Sequence, residues 1–108
     1  MPHPVFLTDD AAQDMNELHG YISRHDTPGK ADYVLAQLEK AFASLTESPE
    51  RGAYPQELLH LGIREYREIF FKPYRLIYRI VDGTVYVLLV ADGRRDMQSL
   101  LQRRLLEP

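Results

Sequence analysis

Apolar residues recur along this chain in two rhythms, three to four positions apart through the first half and every second position through much of the rest. Val5-Phe6-Leu7 is a short apolar run ended by Thr8-Asp9-Asp10, which predicts a strand leading into a capped helix. Ala11, Met15, Leu18 and Ile22 follow at spacings of four, three and four, so they share one face of a helix running to about Arg24. Asp10, Asp14 and Glu17 then turn toward water. Thr27-Pro28 reads as an N-cap followed by proline at the first helical position, where a missing N–H costs nothing. The helix that starts there carries Ala31, Leu35, Leu38, Phe42 and Leu45 at helical period up to Ser48-Pro49. Two amphipathic helices joined so briefly predict an antiparallel hairpin packed on an apolar surface.

Between Pro49 and Gly62 no period holds, and Pro49, Gly52, Pro55 and Gly62 punctuate what reads as a long surface loop. The period then changes to two. Strands are expected at Arg64–Phe71, Tyr74–Val81 and Thr84–Ala91, and Asp82-Gly83 between apolar runs is the type I′ hairpin signal. Alternation puts Tyr74, Leu76, Tyr78 and Ile80 on the face toward the helices and Arg75, Ile77, Arg79 and Val81 on the other. Val85 to Val90 is apolar on both sides, as in a central strand covered on both faces. A last segment from about Arg95 to Leu106, with Met97, Leu100, Leu101 and Leu105 on one stripe, reads as a short helix supplying part of that cover. The fold class is therefore α+β: an N-terminal strand and helical hairpin packed on an antiparallel sheet, with a short C-terminal helix.

Composition narrows this further. At 108 residues, 44% hydrophobic and 27% charged, residues 1–108 make one ordinary globular domain that buries roughly 65% of the unfolded surface. Cysteine is absent, which removes disulfides and thiolate zinc sites and suits a reducing cytosol. The N-terminus lacks a basic, then apolar, leader, and no apolar run approaches the ~18 residues of a membrane span, so a cytoplasmic protein with no membrane partner is expected. The net charge of −3 is unevenly spread. Residues 1–50 carry nine acids against three bases, and residues 51–108 carry ten bases, nine of them arginine, against seven acids. A sequence pI near 5.8 argues against broad contact with RNA or DNA, and no direct sequence-specific nucleic-acid binding is expected.

His3, His19, His25 and His60 are scattered without helical ligand spacing, and neither a Gly-rich phosphate loop nor GxSxG occurs, so no metal or cofactor is expected. Arginine is more informative. Arg75 and Arg79 share a strand face about 13 Å apart at ~3.3 Å per residue. Arg94-Arg95 follow the Asp92-Gly93 turn, and Arg103-Arg104 close the last helix. Such groups can converge on phosphate or on a partner's carboxylates, or pair with local acids such as Asp92, Asp96 and Glu68.

The stretch from Tyr66 to Ile80, with its Tyr74-Arg75-Leu76-Ile77-Tyr78 core, and the stretch from Val85 to Asp96, ending strand-turn-Arg94-Arg95, resemble the C-terminal half of RelE/ParE-type toxins. The N-terminal strand and helical hairpin fit as well, so the likeness spans most of the chain. The resemblance implies a toxin of a type II toxin-antitoxin system. Its expected partners are a cognate antitoxin of ribbon-helix-helix type, whose disordered acidic tail is set against the arginine-rich half at Arg75 and Arg95, and a target touched through Arg94, Arg95, Arg103 and Arg104; Arg79 completes the partner-binding candidates.

The superfamily divides by activity. Its ribosome-dependent ribonucleases resemble this chain at Arg75 and Arg95, but they carry a lysine pair on the strand before the Tyr-Arg core and an aromatic acid/base in the last helix. Here that strand holds no lysine, and Leu101 stands at the aromatic position. Arginine without a proton donor makes a phosphate site rather than an efficient nuclease. The resemblance is therefore to the ParE branch, which implies inhibition of DNA gyrase by protein contact with no catalytic residue. Two alternatives stand beside it: mRNA cleavage by Arg75 and Arg95 with Tyr66 or Tyr78 as acid/base, and a non-toxic antitoxin-binding regulatory module.

Overall fold

The chain runs β1 (Val5–Leu7), α1 (Asp9–His25), α2 (Pro28–Ser44), α3 (Gln56–Leu59), β2 (Arg67–Phe71), β3 (Tyr74–Val81), β4 (Thr84–Asp92) and α4 (Met97–Leu101), followed by a π-helical turn over Gln102–Leu106. These elements are those of a computed structural model that describes residues 2–107. The capping chemistry is realised: Thr8 Oγ1 accepts from the Ala11 amide at 3.2 Å and Thr27 Oγ1 from the Lys30 amide at 3.0 Å. Asp96 caps α4 in the same way, accepting from the Ser99 amide at 3.1 Å.

The sheet order is β1-β4-β3-β2. Strands β2, β3 and β4 form the expected antiparallel meander, and β1 adds a fourth strand parallel to β4, with Phe6 opposite Tyr86. At the β3–β4 turn Asp82 and Gly83 have φ of 51° and 78°, the two positive values a type I′ turn demands. Between Ile77↔Leu89 and Tyr78↔Val87 the register slips, which leaves Leu88 as an extra residue in β4. The bulge changes the phase of the strand. Val85, Val87 and Val90 pack toward the helical hairpin, whereas Leu89 and Ala91 pack on the opposite face.

The sheet therefore separates two cores. Ala11, Met15 and Ile22 of α1 and Ala31, Val34, Leu38 and Phe42 of α2 bury against Ile69, Leu76, Tyr78, Val85, Val87 and Val90. On the second face Leu58, Tyr66, Ile77 and Leu89 meet Met97, Leu100 and Leu101. Three expectations are corrected here. Helix α2 stops at Ser44 and gives way to turns, although Leu45 stays buried. Residues 49–62 form a strap rather than a surface loop, because the second core needs a lid: Gly52, Pro55 and Leu58 are buried, Ala53 bridges to Glu68, and α3 lies within it. Strand β2 consequently begins at Arg67 rather than Arg64.

Candidate partner-binding site

Arg75, opposite Phe70 in β3, lies on the second face, where its aliphatic stem passes close under Gly93. A Cβ on Gly93 would sit 2.8 Å from Arg75 Cδ, so glycine is what allows the approach. Each nitrogen of the guanidinium donates one hydrogen bond to a carboxylate. Its Nη1 and Nη2 donate to the two carboxylate oxygens of Glu57 at 2.7 and 2.8 Å, and Nε donates to Glu68 Oε1 at 2.7 Å. The Arg75 side chain is 12% exposed. The bidentate bond from Arg75 holds Glu57 below the usual carboxylate range, whereas burial lifts Glu68 above it despite a single bond from the same arginine. The hydrogen bonds it donates to Glu57 and Glu68 raise the pKa of Arg75 itself, so it stays charged.

The two tyrosines considered as acid/base groups are structural. Tyr78 is wholly buried; its hydroxyl donates to the Pro49 carbonyl at 2.7 Å and accepts from the Gly52 amide at 3.0 Å, and burial raises its pKa. Tyr66 is 7% exposed within the second core, with the Arg79 guanidinium 5.7 Å from its ring centroid. Leu101 is likewise buried. No proton donor stands open beside Arg75 among these three positions.

The remaining arginines part company. Arg104 is clamped by Asp14 at 2.9 and 3.0 Å and by the Leu88 carbonyl at 3.0 Å, so it ties the last turn to α1 rather than facing outward. Arg94 is 78% exposed and forks onto Asp92, whose carboxyl it holds below the usual range. Arg95 and Arg103 are exposed and enter none of the ion pairs among the described residues.

A cleft of about 650 Å³ runs between α1 and the adjoining ends of β3 and β4. Leu18 and Tyr21 of α1 and Tyr74 of β3 give it apolar walls, and Arg24, Arg94 and Arg95 line it together with three acids, Asp14 and Asp92, which are paired with Arg104 and Arg94, and Glu17. The structure thus joins Arg94 and Arg95 with Arg24, which the sequence did not single out, and leaves Arg75, Arg79, Arg103 and Arg104 out of the lining. Helical spacing could have found Arg24, three residues after Tyr21. Apolar walls beside Arg24 and Arg95, which enter none of the ion pairs among the described residues, suit an amphipathic segment bearing carboxylates. Among the described residues no group of three or more His, Asp or Glu side chains is disposed to hold a metal ion, and no helix is long and apolar enough to cross a membrane.

The family model for the ParE toxin of the type II toxin-antitoxin system parDE matches residues 5–97. The chain belongs to the ParE toxin family. Solved structures agree on the fold. A chain of the chromosomal ParDE toxin-antitoxin system of P. aeruginosa superposes with a TM-score of 0.71 at 17% identity, covering 83% of this chain and 95% of that one. A chain of the toxin-antitoxin complex RelBE2 of Mycobacterium tuberculosis gives 0.57 at 28% identity, covering 85% and 92%. A mutant of the E. coli toxin RelE in the free state gives 0.61 at 19% identity, covering 97% and 100%. No curated protein matches the chain in sequence. The family match ends at Met97, so Arg103 and Arg104 lie beyond it.

Proposed function

We propose that this ParE-family toxin acts in the cytoplasm, inhibits DNA gyrase by protein contact, and is neutralised by a cognate antitoxin whose acidic, amphipathic tail occupies the α1–β4 cleft. The observation that carries the reading is the occupancy of Arg75. A guanidinium already holding Glu57 through both terminal nitrogens and Glu68 through Nε has no fork left for a scissile phosphate. With Tyr66 and Tyr78 buried as well, three of the four residues a nuclease would use are committed to the fold, Arg95 being the exception. Arg95 and Arg103 are free for a protein surface, as Arg94 is apart from its pairing with Asp92. A ribbon-helix-helix antitoxin would supply the carboxylates for Arg24, Arg94 and Arg95.

The similarity to RelBE2 at 28% identity makes ribosome-dependent mRNA cleavage the reading to test against. A gyrase supercoiling assay run beside a ribosome-dependent mRNA cleavage assay separates the two. Inhibition of supercoiling with intact ribosome-bound mRNA supports the proposal. Site-specific cleavage of that mRNA would replace it, and inactivity in both assays with retained antitoxin binding would leave a regulatory module.

A further inference from the structure

The second face of the sheet is only half covered. Leu89 and Ala91 lie under α3 and α4, but toward the other end of β4 the side chains open to solvent: Tyr86 is 36% exposed and Phe6 beside it 55%. Register places these residues in one row. Phe6 stands opposite Tyr86, Tyr86 opposite Arg79, and Arg79 reaches over the ring of Tyr66, next to β2. Three strand spacings of ~4.8 Å make this row about 14 Å long. The rings of Phe6 and Tyr86 stack with centroids 6.2 Å apart.

Arg79 is the exceptional member of the row. It enters none of the ion pairs among the described residues, and its Nε is buried without a hydrogen-bond partner there. The Tyr66 ring offers the guanidinium a π face but no lone pair. A buried N–H without an acceptor is costly, and a carboxylate brought by a partner is a group that can supply one.

We propose that the row Phe6-Tyr86-Arg79-Tyr66 is a docking surface for a protein segment that presents a carboxylate between apolar side chains. The carboxylate takes the Arg79 guanidinium, and the apolar groups cover Phe6 and Tyr86. Charge decides between a peptide and a nucleic acid. A chain of net charge −3 repels a ligand in proportion to the ligand's own charge, so one carboxylate loses little where a polyphosphate backbone loses much. This surface lies across the sheet from the α1–α2 hairpin and shares no residue with the α1–β4 cleft. It is the same whether the toxin acts on gyrase or on mRNA, so the assays above do not decide it.

The test is a titration of the 15N-labelled full chain with three probes: a short synthetic peptide alternating leucine, phenylalanine and glutamate, its glutamine counterpart, and a single-stranded RNA oligonucleotide. The acidic peptide should shift the Arg79 Nε–H resonance and the amides of Phe6 and Tyr86. It should bind at least ~10-fold more tightly than the glutamine peptide, as a charge-assisted bond implies. Arg79→Gln should abolish that preference. Phe6→Ser, at an exposed position, should weaken both peptides alike. Equal affinity for the two peptides, shifts confined to the cleft around Tyr21 and Arg94, stronger perturbation of the row by RNA, or no shift there with any probe would each overturn the proposal.

Discussion

Replacing Tyr78 with phenylalanine removes one oxygen atom from the middle of the protein and separates a structural tyrosine from a catalytic one. The hydroxyl ties the strap to β3 at two points, donating to the Pro49 carbonyl and accepting from the Gly52 amide. Losing the first bond costs about 0.5–1.5 kcal/mol, and leaving the buried Gly52 amide without an acceptor about 1–3 kcal/mol. The expected loss is therefore about 2–4 kcal/mol, a large part of the ~5–15 kcal/mol that stabilises a domain of this size. At roughly 4–8 °C per kcal/mol, Tm should fall by about 8–30 °C. Thermal and urea unfolding followed by circular dichroism read this directly. A fall of under ~3 °C would mean that the strap is not anchored through this hydroxyl. Were Tyr78 an acid/base group, the same variant would keep its stability and lose RNA cleavage.

Gly52→Ala should destabilise at least as much in the same unfolding assay, since its Cβ would lie 2.6 Å from the Tyr78 hydroxyl and 2.7 Å from the Glu68 carbonyl. Glu57→Gln should cost about 2–3 kcal/mol at pH 7 by breaking the bidentate pair. Because Glu57 titrates below its ordinary value of 4.5 in the fold, its contribution is present above that value and lost as pH falls through the folded pKa, so urea unfolding should find variant and wild type converging in acid. Glu68 has the opposite sign: its raised pKa makes ionisation cost stability as pH rises from 4.5 through the folded value, so Glu68→Gln should show its least unfavourable difference from wild type on the alkaline side of that window. Arg95→Glu, at an exposed cleft position, should weaken antitoxin binding at least ~10-fold in calorimetry with Tm unchanged. Arg75→Glu would instead face Glu57 and Glu68 with a third carboxylate and report on folding.

The helices were legible because their signals are local: Thr8, Thr27 and Pro28 mark their starts, and the apolar period runs within each. Asp82-Gly83 announced the hairpin in the same way. What escaped depends on residues far apart in the chain. Leu58 earns no notice in an aperiodic stretch until Ile77, Leu89 and Leu100 are known to need covering. Arg75 finds Glu57 across 18 positions and Arg104 finds Asp14 across 90, and neither distance leaves a trace in periodicity. Alternation places Arg75 and Arg79 on one strand face, but it does not show that one is held by two carboxylates and the other by none among the described residues. The stripe on the last helix was read correctly. Its burial also means that deleting residues 95–108 would open the second core, so point substitutions at exposed arginines are the cleaner probe.

On the function proposed above, this toxin works through a protein surface carrying Arg95 and Arg103 and not through phosphoryl chemistry at Arg75. A gyrase DNA-cleavage assay with purified protein tests it most directly, comparing wild type with the double variant Arg95→Glu, Arg103→Glu after both are shown to be folded. Wild type should accumulate cleaved DNA bound to gyrase, and the double variant should do so at least ~10-fold less effectively. Gyrase unaffected by the wild-type protein, with ribosome-bound mRNA cut at defined sites in parallel, would contradict it.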